Sequence, residues 1–257
     1  MSSLPEMGSG IRLASMSRRI LLSLALAGAL VTVPVGAQQS APKPISVAYN
    51  MFTLKNGLTV ILHRDTSVPV ATVNLWYHVG SKNERTGMTG FAHLFEHLMF
   101  GGSENIPSFD EPLQMASGDN NAFTSNDITN YYMTLPAANL ETAFWLESDR
   151  MNNLAFSEKS LEVQRNVVIE EFNERYLNQP YGDLWLLLRP LAYKVHPYQW
   201  ATIGKNIDHV ANASMTDVKN FFKKFYNPNN AILCVAGNVT HDQVKALTEK
   251  WFGGIPR

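Results

Sequence analysis

His93 and His97 stand four residues apart in the run His93-Leu94-Phe95-Glu96-His97. On a helix, positions i and i+4 share one face about one turn apart. Glu96, three residues after His93, lies beside the same face. Two imidazoles with a neighbouring carboxylate suit a zinc ion that has a proton acceptor at hand. The order H-x-x-E-H is the inverse of the commoner H-E-x-x-H arrangement. A core helix carrying two hydrogen-bonded histidines would show the same letters, so the rest of the site has to be sought elsewhere in the chain.

A catalytic zinc usually takes three protein ligands and leaves one position open. The acidic stretch Arg165-Asn166-Val167-Val168-Ile169-Glu170-Glu171-Phe172-Asn173-Glu174 offers Glu170, Glu171 and Glu174 as the third. Residue type does not choose among them. If Val167, Val168 and Phe172 mark the core face, Glu171 points most nearly inward; a solvated helix face is the usual fate of such glutamates. The single cysteine, Cys234, falls in the apolar run 231–236 and reads as a buried strand residue. No internal disulfide and no cysteine-rich zinc site are possible, so a metal must use histidine and carboxylate.

The surrounding pattern predicts the elements that position these residues. Residues 45–54 and 58–63 read as antiparallel strands joined at Asn56-Gly57, and residues 70–79 as a more buried third strand. After a polar loop at 80–90, the motif helix runs to about Phe100, where Gly101-Gly102 stops it. Ser108 and Glu111 form the pattern of a capping box for a helix over 108–117. Residues 120–124 and 129–135 read as paired strands. Helices follow over 136–152 and from Ser157 or Glu158 to about Tyr176, then 183–191, 215–226 and 240–252, with a strand at 231–239. Strands and helices in blocks predict an α+β, two-layer domain: a mainly antiparallel sheet covered by helices on one face. Phe91, Phe95 and Phe100 read as core packing of the motif helix. His63, His78, His196, His209 and His241 have no ligand-like spacing and read as surface or local structural residues.

The chain has 257 residues, 45% hydrophobic and 17% charged, with net charge −1. It is long enough for a sizeable core, and nothing in its charge argues for nucleic acid or an anionic membrane. Arg18-Arg19, the apolar run 20–33 and the small residues Val35-Gly36-Ala37 form a signal-peptide pattern over 1–37, with Met16 an alternative start to Met1. The apolar run is short for a membrane span, so no stable anchor is expected. Residues 38–45 read as a linker into the mature domain, 46–257. Export with a single cysteine points to a bacterial periplasm.

The block from Thr89 to Gly102 resembles the zinc helix of the pitrilysin, insulin-degrading enzyme and mitochondrial processing peptidase family. Asn121-Ala122-Phe123-Thr124, followed by Asp127, Thr129 and Tyr131, resembles that family's edge-strand region. Arg165 to Glu171 resembles its second ligand helix, and Trp251 to Pro256 the close of its first homologous domain. The resemblance implies the metallohydrolase half-domain fold of the processing peptidases. It implies one zinc per chain held by His93, His97 and Glu171, with Glu96 as general base for water attacking a peptide carbonyl. It also implies that Asn120, Asn121 and Ala122 present an edge strand to an extended peptide. One departure is Gln164, where the family carries an acidic residue seven positions before the ligand. A second homologous half, in the same chain or as a separate subunit, is expected to complete substrate binding. The alternative to a zinc endopeptidase is a non-catalytic, substrate-binding or scaffolding subunit of a two-chain assembly.

Overall fold

The computed structural model of the protein describes residues 46–257, so the leader and linker read from the sequence lie outside it. Six strands form one sheet: β1 (Asn50–Thr53), β2 (Thr59–Arg64), β3 (Val70–Tyr77), β4 (Asp119–Thr124), β5 (Thr129–Pro136) and β6 (Ala231–Gly237). Their spatial order is β1-β2-β6-β3-β5-β4. Every pairing is antiparallel except β2 with β6, so the α+β, mainly antiparallel architecture is the one observed.

Alternation along the strands decides which face is covered. Val60 and Leu62, Ala71, Val73, Leu75 and Tyr77, Tyr131, Met133 and Leu135, and Leu233 and Val235 all point to one face and are buried. Helices supply the other side of that core. They are α1 (Phe91–Leu98), α2 (Asp110–Met115), α3 (Leu140–Asn153), α4 (Glu158–Phe172), α5 (Leu184–Ala192), α6 (Ile207–Ala211), α7 (Met215–Phe225) and α8 (His241–Phe252). Side-chain oxygens of Ser157, Ser214 and Thr240 cap α4, α7 and α8 by accepting a backbone N–H three residues on, each satisfying a donor that the helix leaves open. Among the described residues, no helix is long and apolar enough to cross a membrane.

The motif helix α1 is pressed against the sheet by Phe91, Leu94, Phe95 and Leu98, all buried; of the expected aromatic cluster, Phe91 and Phe95 are buried and Phe100 is half-buried against the core. The Tyr131 hydroxyl of β5 donates to the Phe95 carbonyl at 3.3 Å, and α1 packs on α4 along its other side. Below α1, Arg150 of α3 is fully buried. It pairs with Glu147 and lies 4.3 Å from the Phe109 ring and 4.5 Å from the Tyr131 ring.

Several local expectations are corrected. Cys234 lies in β6 but points to the uncovered face and is half-buried, because alternation places it opposite Leu233 and Val235. Val167 is 43% exposed, so the buried stripe of α4 is Leu161, Val168 and Phe172. Ser108 caps nothing: α2 begins at Asp110, its flanking residue Phe109 being buried beneath Arg150. Pro136 ends β5 rather than opening α3, and a 3-10 turn at Ala137–Asn139 lies between them. The helix expected to reach Tyr176 is α-helical to Phe172 and continues as a π-helical turn, Asn173–Leu177.

Candidate metal centre

The two histidines of α1 project toward α4, with ring centroids 4.8 Å apart and planes nearly perpendicular. One carboxylate oxygen of Glu171, Oε2, faces both, 3.5 Å from His93 Nε2 and 3.3 Å from His97 Nε2. Glu170 and Glu174 are exposed and point elsewhere. The wider spacing of the buried stripe explains this outcome: Glu171 is three residues after Val168 and follows its face inward, whereas Val167 does not mark the core. Gln164 is half-buried and does not line the cleft.

The donor set fits a tetrahedral ion. Bonds of about 2.0–2.2 Å give ligand-to-ligand edges of about 3.3–3.5 Å, and both histidine-to-glutamate distances fall there. They are long for a direct charge-assisted hydrogen bond, which is about 2.7–2.9 Å. Among the described residues, His93, His97 and Glu171 are the one such cluster.

Burial holds the His93 imidazole down to about 4, against the pull of the Glu171 carboxylate, so it stays neutral as a ligand must be. The His97 imidazole, with burial opposing, keeps Glu171 below the usual carboxylate range. Arg175, in the π-helical turn, places Nη1 2.9 Å from Glu171 Oε1 and leaves Oε2 to the histidines. His93 Nδ1 is buried with no hydrogen-bond partner among the described residues; packing, rather than an outer acceptor, sets that ring.

Glu96 lies beside the cluster in a cleft of about 330 Å³ that His93, His97, Glu171, Arg175 and Tyr176 also line. Burial raises its carboxyl, and the Thr124 hydroxyl, donating to Oε2 at 2.6 Å, pulls the other way. Thr124 ends β4, the edge strand of the sheet, so the strand that borders the cleft also grips its acidic group. Asn121 and Ala122 line the cleft. Asn120 does not: its amide donates to Asp110 Oδ1 at 2.9 Å, outside it. Thr124, Arg175 and Tyr176 were not among the residues singled out from sequence. The signal for Thr124 was the period of two along β4, which puts it on the same side as Ala122. Of the remaining histidines, His209 accepts from or donates to the Thr89 hydroxyl at 2.8 Å, a local structural contact.

An α+β domain with an inverted two-histidine helix facing a glutamate on a second helix is the arrangement of a metallopeptidase half-domain. The pattern described as "Insulinase (Peptidase family M16)" matches residues 59–187, and "Peptidase M16 inactive domain" matches residues 212–257. The chain belongs to peptidase family M16. It is 37% identical over 222 residues to the zinc protease PqqE of Helicobacter pylori, a stretch covering 85% of this chain and 49% of that one. A crystal structure of a protease from Helicobacter pylori matches with TM-score 0.79 at 36% identity, over 82% of this chain and 51% of that chain. The periplasmic protease PqqL from Escherichia coli matches with TM-score 0.74 at 25% identity, over 82% and 24%. The chain spans about half the length of the curated relatives it matches.

Proposed function

We propose that residues 46–257 form the metal-carrying half of an exported zinc endopeptidase that hydrolyses unfolded peptides or small proteins. The observation that carries this reading is the convergence of His93, His97 and Glu171 beside a half-buried Glu96. In this reading one zinc ion is held by those three residues and Glu96 is the general base. When bound, zinc acidifies a water and polarises the scissile carbonyl.

The chain's own residues do the rest. Glu96 accepts the proton as water attacks and returns it to the leaving amine; its raised proton affinity brings it nearer the operating pH, which suits both transfers. Thr124 fixes the orientation of that carboxylate. Arg175 holds the far oxygen of Glu171. The edge of β4 at Asn121 and Ala122 would pair with the backbone of an extended peptide, displacing Asn121 Oδ1, which accepts from the Ala122 N–H at 2.8 Å, a mode of binding with little regard to side chains. Asn120, engaged with Asp110, contributes only its backbone.

A second homologous half, following in the chain or supplied as a subunit, would complete the substrate enclosure. The basic and apolar pattern of residues 18–37 supports export, and the likeness to a periplasmic protease is in keeping with it.

The test is hydrolysis of a mixed pool of unstructured peptides with and without a chelator. Chelator-sensitive cleavage is expected, and Glu96→Gln should abolish it while zinc content stays near one per chain. A fully active Glu96→Gln protein would remove Glu96 from the mechanism. The scaffold reading draws on the match of residues 212–257 to an inactive domain, but that segment contains none of the four site residues. A purified chain without stoichiometric zinc would favour it.

A further inference from the structure

We propose that Glu84 is a positioning residue of the metal site: its carboxylate anchors the N-terminus of the helix that carries His93, Glu96 and His97. The proposal rests on the zinc reading above. Helix α1 is short, eight residues, and begins without a cap of its own. Its N-cap is Gly90, in the left-handed region at φ 88°. A Cβ there would come within 2.8 Å of the Ile203 carbonyl oxygen and the Val210 side chain. A capping serine or aspartate therefore does not fit at the usual place.

Glu84 reaches in from the preceding loop instead. Its Oε2 accepts from the Gly90 N–H at 3.0 Å and its Oε1 from the Ala92 N–H at 2.9 Å. Both oxygens accept; burial pushes the Glu84 carboxyl up to about 8, while these N–H groups pull the other way and the helix end favours its charged form. The residue is only 9% exposed, so these bonds compete little with water.

The loop that delivers Glu84 is itself tied down. The Lys82 N–H donates to the Asn126 carbonyl at 2.9 Å, and the Trp200 indole donates to the Ser81 carbonyl at 3.0 Å. Asn126 lies in the turn directly after Thr124. One rigid connection thus links the end of β4 to the start of α1. It sets where the two histidines stand relative to Glu171 on α4, and where Glu96 stands relative to Thr124. A shift of a few tenths of an ångström in α1 would change every distance in the cluster.

The test uses the full protein with Glu84→Gln and Glu84→Ala. Gln keeps one acceptor and turns a donor toward the other N–H, whereas Ala removes both acceptors. Zinc affinity is read by competition with a chromophoric chelator, and ligand geometry by the d–d bands of the cobalt(II)-substituted protein. Zinc affinity should fall about 10- to 100-fold in the Ala variant, as for outer partners of metal ligands, with an intermediate loss for Gln and altered cobalt bands in both. Val244→Ala, on the buried face of α8, is the control for general destabilisation. The proposal is overturned if the folded Gln variant keeps the parent's zinc affinity and cobalt spectrum. It is equally overturned if Val244→Ala, at a matched loss of Tm, weakens zinc binding as much. A parent protein that binds no zinc would instead refute the reading of the site as a zinc centre.

Discussion

At the scale of single residues, the Thr124–Glu96 contact would set the proton chemistry of the proposed mechanism. Burial raises the Glu96 carboxyl, and the threonine hydroxyl is the first influence opposing it. In the proposed role of base Glu96 must be ionised, so activity should be lost as pH falls through its pKa. Thr124→Val removes the opposing hydroxyl and leaves burial in force, so the pKa rises and the acidic limb of the kcat/KM profile moves to higher pH. A hydrogen bond to a charged group contributes about 1.5–3 kcal/mol, so kcat should fall on the order of 10- to 100-fold with zinc content unchanged. A pH–rate profile superimposable on the parent's would show that Thr124 does not hold the base. The histidine pair and Glu96 were legible in the letters because helical spacing brings them together whatever the rest of the fold does. Glu171 was reachable from the residues only through its phase relative to the valines, and one of those, Val167, turned out to be exposed. The period of two along β4 put Thr124 beside Ala122 but did not name its partner Glu96, 28 residues away; Glu84, six and eight residues before Gly90 and Ala92, lies in a loop with no period to read.

At the scale of elements, α1 is held from below as well as from its start. Arg150 is buried between the Phe109 and Tyr131 rings and forms a forked pair with Glu147, Nε to Oε2 at 2.8 Å. Tyr131 in turn donates to the Phe95 carbonyl of α1. Breaking a buried pair by removing one partner leaves an uncompensated charge and costs about 3–5 kcal/mol. Arg150→Met should therefore lower the denaturation midpoint by a corresponding amount, and Glu147→Leu added to it should recover most of the loss, since an apolar replacement of the whole pair is often close to neutral. A double variant as unstable as the single would show that the ring stacking, not the charge, is what matters. The alternation of strands and the spacing of helices were legible because each follows a short period. The parallel pairing of β2 with β6 was not, since the two strands lie far apart in sequence and only the finished sheet joins them. Nor was the half-burial of Cys234 legible: an apolar run does not say which of its residues face the uncovered side.

At the scale of the whole molecule, apolar surface is left uncovered. Helix α5 exposes Leu184, Trp185, Leu187 and Leu191, and Trp76 and Phe123 meet edge-to-face on the uncovered side of the sheet. Exposed apolar side chains grouped on one helix suit a site of association. The chain spans about half the length of its relatives, and in the proposed reading metal binding and substrate positioning are divided between two halves. The proposed zinc ligands His93, His97 and Glu171 all lie on α1 and α4, both within this chain, so the isolated half should hold about one zinc. Catalysis depends on holding the peptide to within about an ångström, and a misplacement of that size costs on the order of 100-fold. Supplying the second homologous half, fused or in trans, should therefore raise kcat/KM by on the order of 100-fold or more while leaving zinc content unchanged. Steady-state kinetics of the chain with and without that half, at matched zinc content, reads this directly. If the chain alone reaches the same kcat/KM, the β4 edge and the cleft beside Glu96 are enough to position a peptide, and the exposed face of α5 has no part in catalysis.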